Sequence, residues 1–136
     1  MLSNERIFAV IPTSNLERAR RFYGETLRLE ETENGHQKDK LDRGRVSFEG
    51  AQGTMLLVYQ PEAPANPKHT VAGWMVDDID EAVDELTDRG VEFEDYSERM
   101  PDIDWDERGV GTSASNRSAW FRDPDGNLLV INEMRS

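Results

Sequence analysis

The sequence predicts an α+β fold, with two βαβββ modules in tandem forming one domain. Three observations carry this reading. A plan of strand, helix and further strands is met twice along the 136 residues. The two copies align at fixed spacings. Leu16-Glu17-Arg18-Ala19 matches Ile79-Asp80-Glu81-Ala82 at an offset of 63, while Phe48 and Leu57-Val58 match Phe121 and Val130-Ile131 at an offset of 73. The extra length of segment 96–116 accounts for the difference between the offsets. Third, "PEAPANPK" (61–68) places three prolines between the copies, as a semi-rigid extended linker. The modules are therefore residues 1–60 and 69–136.

Each element has its own signal. "RIFAVIP" (6–12) is apolar and β-prone, and Pro12 ends its pairing capacity. "SNLERARRFYGETL" reads as a helix that Ser14 or Asn15 can cap, with Leu16, Ala19, Phe22, Tyr23 and Leu27 on one face. "RVSFEG" and "TMLLVYQ" are strands around a glycine-containing turn. In the second copy "TVAGWMV" is a strand. Asp78 caps the helix "IDEAVDELTDRG", Glu81 stands at the capping-box position, and Gly90 stops it. "VEFEDY" alternates as a strand. "SAWFRDPDGNLLVINE" is a hairpin, since Pro124 and Gly126 suit a tight turn.

Composition narrows the function. There are 28 Asp and Glu against 16 Lys and Arg, a net charge of -12. Such a surface repels phosphate backbones, so no nucleic acid partner is expected. The acidic residues are spread along the whole chain and only three basic residues are lysine, a pattern resembling proteins of high-salt cytoplasms. There is no cysteine, which removes thiol nucleophiles and thiolate metal sites. No apolar run approaches the ~18 residues of a membrane span, and "MLSNERIF" lacks the pattern of a secretory signal. A cytoplasmic protein without membrane partners is the expectation. Neither a phosphate loop nor a dinucleotide fingerprint is present. No catalytic residue can be named; Arg6, Tyr59 and His69 are the faint possibility of a metal-free acid–base set.

Three stretches, "AVIPTSNLERARRFYGETL", "VDDIDEAVDELTDRGVEF" and "FRDPDGNLLVINE", resemble the glyoxalase / bleomycin resistance protein / dioxygenase group, the vicinal oxygen chelate superfamily. The likeness covers nearly the whole chain in the family's motif order. It implies paired βαβββ modules whose curled mixed sheets enclose a cleft, and a homodimer as in many members. Its enzymes are lyases, isomerases, dioxygenases or thiol transferases. They hold a divalent metal with His, Glu or Gln from the first and last strand of each module. Carried over by motif, those four positions are Phe8, Leu57, Val71 and Val130. None offers a lone pair to a cation, so no metal and no other cofactor is expected. His69 would need a slip of two residues to serve, and His36 reads as a solvated loop histidine.

Strand alternation gives these four positions company. Arg6 and Val10, Met55 and Tyr59, Gly73 and Met75, and Leu128 and Asn132 share their face, with His69 two residues before Val71. Trp120 joins them if Phe121 packs beneath the helix, and Trp74 has the opposite parity and should be core. Segment 96–116 lacks periodicity, so it is either a ligand-closing loop around Trp105 or a mobile acidic surface loop. The resulting expectation is metal-independent binding or sequestration of a small organic molecule. Its ligand-binding residues would be Phe8, Val10, Met55, Leu57, Tyr59, His69, Val71, Met75, Trp105, Trp120, Val130 and Asn132. The alternatives are a metal-dependent enzyme of the same superfamily and a structural or regulatory dimer with no physiological ligand.

Overall fold

In the computed structural model, residues 1–4, 7–32, 44–61 and 69–135 are described. Arg6, His36 and most of the 61–68 linker lie outside them. The chain divides into two units, Met1–Pro67 and Lys68–Ser136. No helix among the described residues is long and apolar enough to cross a membrane.

The first unit holds a four-stranded sheet in the order β1-β4-β3-β2. The strands are β1 (Phe8–Pro12), β2 (Glu30–Thr32), β3 (Arg45–Glu49) and β4 (Met55–Tyr59). β1 runs parallel to β4 and the other neighbours are antiparallel. Helix α1 (Leu16–Arg20) begins at Asn15, whose side-chain oxygen accepts from the Arg18 N–H at 3.1 Å. The expected single helix then widens into a π-helical segment, Arg21–Thr26, where Leu27 N–H donates to Phe22 C=O. Ala19 and Tyr23 are buried with Ile11, Val46, Phe48, Leu56 and Val58. These buried apolar strand residues share one parity, so the helix covers that face of the sheet. Each fully buried aliphatic side chain contributes about 2 kcal/mol.

The second unit repeats the arrangement with five strands, ordered β5-β9-β8-β7-β6. They are β5 (Thr70–Met75), β6 (Asp104–Trp105), β7 (Gly111–Thr112), β8 (Asn116–Arg122) and β9 (Leu128–Met134). Helix α2 (Ile79–Asp88) is capped by Asp78, which accepts from Glu81 N–H at 3.1 Å. Ile79 and Val83 of α2 are buried with Ala119, Phe121, Leu129 and Ile131 of the sheet. Trp74 stacks on Phe121 with ring centroids 6.4 Å apart, on the helix side as its parity requires.

The sequence repeat is reproduced in the ladders. Val10 pairs with Leu57 and Gly73 with Val130; Phe48 pairs with Leu56 and Phe121 with Leu129. These pairs differ by the offsets of 63 and 73. The ladder departs from the repeat at Val71, where a register shift between Thr70 and Ala72 makes a bulge. Thr70, not Val71, pairs with Leu128.

Two other expectations are corrected, and one strand of the βαβββ plan is located. "VEFEDY" keeps a single bridge, Phe93 to Phe121, in place of a strand. The plan's first strand after the helix is β2, which could not be placed from sequence because its polar residues Glu30, Glu31 and Thr32 carry no apolar alternation. Segment 96–116 contains an ordered hairpin, β6–β7, whose strands of two residues are too short to give a periodic signal.

The "DPDG" turn is built around a buried carboxylate. Asp123 accepts from the N–H groups of Asp125 and Asn127 at 2.9 Å, and from the Asn127 side-chain amide at 2.7 Å. Gly126, at φ 84°, takes the left-handed conformation that closes it.

Candidate functional site

With one helix per sheet, each sheet has one face that its own helix leaves uncovered. On the first sheet this face carries Phe8 and Val10 from β1, Met55, Leu57 and Tyr59 from β4, and Ser47 from β3, as the cross-strand pairs require. Phe8 and Val10 are 56% and 45% exposed. Ser47 is buried beside Leu57.

On the second sheet the corresponding face has two rows. One runs Gly73–Val130–Trp120, and the next runs Met75–Asn132–Ser118–Gly111–Trp105. Trp120 lies at the centre of an aromatic group. Tyr96 meets it edge-on at 5.6 Å between centroids, and Trp105 lies 6.1 Å away. Trp105 is seated firmly for a residue in an irregular segment. Its indole N–H donates to Met100 C=O at 2.8 Å, and its ring lies over Gly111, where a Cβ would come within 2.8 Å of it. Polar capacity on this face is sparse and organised. Ser118 donates to the Asn132 side-chain oxygen at 2.8 Å. The Asn132 amide N–H groups then point toward the Met75 and Met134 sulfurs, at 3.6 and 3.9 Å. Thioethers are weak acceptors, so this amide retains donor capacity.

Val71 and His69 stand apart. The bulge at Val71 interrupts the alternation by which His69 was expected to follow the face of Val71. His69 is exposed, and its Nδ1 donates to the neighbouring Thr70 C=O at 3.1 Å. Tyr96, Met134 and Ser118 were missed by sequence reasoning. The parity of Asn132 could have found Met134 and that of Trp120 could have found Ser118; Tyr96 has no such signal, because it lies beyond any regular strand.

The strongest electrostatics lie on the helix side of the second sheet. Asp80, in the first turn of α2, accepts two hydrogen bonds from Arg117 of β8, at 2.8 and 3.1 Å, and another from Arg108 of the β6–β7 turn. Arg108 also binds Asp106 at 2.9 Å and reaches Asp84 at 3.5 Å, while Glu133 lies 3.6 Å from Arg117. The Arg117 and Arg108 guanidiniums hold the Asp80 carboxyl well below the usual carboxylate range. The same contacts push Arg108 and Arg117 up. Burial works against the charge on Asp106, but hydrogen bonds from Val110 N–H and Arg108 outweigh it, so its pKa is lowered.

Among the described residues, no three His, Asp or Glu side chains are placed to hold a metal ion. Phe8, Leu57, Val71 and Val130 carry only hydrocarbon. Their donor chemistry does not fit a divalent cation.

Comparison with known proteins gives one family. Residues 7–131 match the profile of the Glyoxalase/Bleomycin resistance protein/Dioxygenase superfamily. No curated protein matches the sequence. Several solved structures share the fold. TnmS3, an antibiotic binding protein from Streptomyces sp. CB03234, is 21% identical with a TM-score of 0.74, over 99% of both chains. A superfamily member from Sphaerobacter thermophilus is 26% identical with a TM-score of 0.68, over 98% of this chain and 99% of that one. A glyoxalase family protein from Enterococcus faecalis is 21% identical with a TM-score of 0.69, over 98% of this chain and all of the other. With its sheets, its repeat and a family match over almost its whole length, the chain belongs to the Glyoxalase/Bleomycin resistance protein/Dioxygenase superfamily.

Proposed function

We propose that this protein binds a small organic molecule without a metal, using the faces its helices leave uncovered. The observation that carries the reading is chemical. The positions that would bear metal ligands in the superfamily's enzymes bear Phe8, Leu57, Val71 and Val130, so the scaffold keeps a binding surface without the means to polarise a substrate through a cation. Taken by itself, the uncovered face of the first sheet offers apolar contact through Phe8, Val10, Met55, Leu57 and Tyr59. That of the second sheet, taken by itself, offers it through Met75, Trp120 and Val130, with Trp105 at its edge. The Asn132 amide offers hydrogen-bond donors to a ligand acceptor, and His69 lies at the start of β5. Large apolar and aromatic contact with a few directed polar groups is the usual make-up of an organic-ligand site. The description of TnmS3 as an antibiotic binding protein agrees with this chemistry.

Protein purified without chelator tests the proposal. It is titrated with bleomycin and a panel of planar aromatic antibiotics, following tryptophan fluorescence and the melting temperature. A ligand at one hundred times its Kd adds about 2.7 kcal/mol to stability, which for a chain of this size raises Tm by about 10 °C. The expected result is such a shift with at least one compound, unchanged by EDTA. A stoichiometric divalent metal that is required for binding or that activates turnover would overturn it and favour a metal-dependent enzyme.

A further inference from the structure

The Asp80 ion cluster and the Trp105–Trp120 pair lie on opposite faces of the second sheet, yet one short hairpin joins them. Trp105 is the last residue of β6, and Asp106 and Arg108 form the turn that follows it. The turn is stiff within itself. Asp106 accepts from the backbone N–H groups of Arg108 and Val110 at 2.9 Å each, and its other oxygen binds the Arg108 guanidinium. Outside the turn, Arg108 reaches two side chains, Asp80 and Asp84, both on α2. Asp80 is simultaneously clamped by both terminal nitrogens of Arg117, and Arg117 Nε donates to Thr112 on β7 at 3.3 Å. One carboxylate thus ties together the helix, the hairpin turn, β7 by way of Arg117, and β8.

We propose that Asp80 is a positioning residue for ligand recognition: acting through Arg108 and Arg117, it fixes the β6–β7 hairpin and so sets the seat of the Trp105 ring against Trp120. The binding consequence rests on the functional reading above; the positioning itself does not. An isolated surface ion pair would be too weak for this task, but Arg117 binds in the planar two-point mode and the charges form a connected network. Trp105 responds to small displacements because its ring already lies on Gly111, leaving no slack on that side.

Arg108 on the turn and Arg117 on β8 contact Asp80 directly, and the further charges of the cluster meet those two guanidiniums: Asp84 on α2 and Asp106 on the turn meet Arg108, and Glu133 on β9 meets Arg117. Because the guanidiniums depress Asp80, its contribution is fully present above the ordinary aspartate value of 3.8 and is lost as pH falls through its own lower value.

The experiment uses full-length protein and the variants Asp80→Asn, Asp80→Glu, Trp105→Phe, and Asp80→Asn with Trp105→Phe. Near-ultraviolet circular dichroism reads the tryptophan environment without any ligand. Asp80→Asn is expected to change the tryptophan bands while the far-ultraviolet spectrum stays constant, and Asp80→Glu is expected to recover them in part. In the Trp105→Phe background the Asp80→Asn change should disappear. A change that persists there, or identical bands in Asp80→Asn and wild type, overturns the positioning role. For bleomycin, or whichever panel compound binds the wild type, Asp80→Asn should weaken affinity about fivefold. If no compound binds the wild type, the functional reading fails, while the dichroism bands still decide the positioning role of Asp80.

Discussion

Replacing Asp123 by Ala is expected to lower the melting temperature by about 10 °C. The side chain is 6% exposed, and Asn127 beside it is 1% exposed. Removing the carboxylate takes away the acceptor shared by the Asn127 side-chain amide and the backbone N–H groups of Asp125 and Asn127. Each hydrogen bond to a charged group contributes about 2 kcal/mol, and a buried donor left without a partner costs a similar amount. Local rearrangement and water entry recover part of this, leaving a loss of about 3 kcal/mol. Asp123→Asn should fall between the two, since its amide oxygen can still accept from backbone while its NH2 opposes the Asn127 amide. Differential scanning calorimetry on the three proteins checks the order. An Asp123→Ala protein melting within 3 °C of wild type, with ΔTm judged against ~4 °C per kcal/mol, would refute this account of the turn.

The second large effect concerns Gly73. A Cβ built there would stand 2.5 Å from Val130 Cγ1 and 3.1 Å from the Val130 carbonyl oxygen. A β-branched side chain has few χ1 alternatives, and the carbonyl belongs to the β9 ladder and cannot retreat. Gly73→Ala should therefore cost about 2 kcal/mol as overpacking. Val130→Ala alone should cost less, because Val130 is only part-buried. In the double variant most of the Gly73→Ala penalty should vanish, so the coupling between the two sites is favourable by more than 1 kcal/mol. Chemical denaturation of all four proteins measures it, and strict additivity would refute the contact. The same cycle on ligand affinity would report whether Val130 is part of the binding surface.

Much of the fold was legible because it is written in apolar spacing. Ile11, Val58, Phe121 and Ile131 fall where period-two alternation puts them, and the offsets between copies become ladder partners. What escaped has physical causes. The bulge at Val71 is a backbone event, and no side chain announces it. "VEFEDY" alternates correctly, yet Phe93 makes the only bridge, so neighbouring alternation had no partner strand to express it. At the candidate site, Trp120 could be assigned through Phe121, its neighbour of opposite parity. The seat of Trp105 could not, because it depends on Gly111 and on the Met100 carbonyl, contacts that no periodicity encodes. The Asp80 cluster was hidden for a similar reason: Arg108 and Arg117 lie 28 and 37 residues from it in sequence.

Every described strand finds its partners within its own half of the chain. Cutting the backbone at the junction of the two units would therefore sever no ladder hydrogen bond between described strands. Each half is therefore a natural candidate for production as a separate polypeptide. A half that folds alone would show its own cooperative melt, and a half that does not would show none.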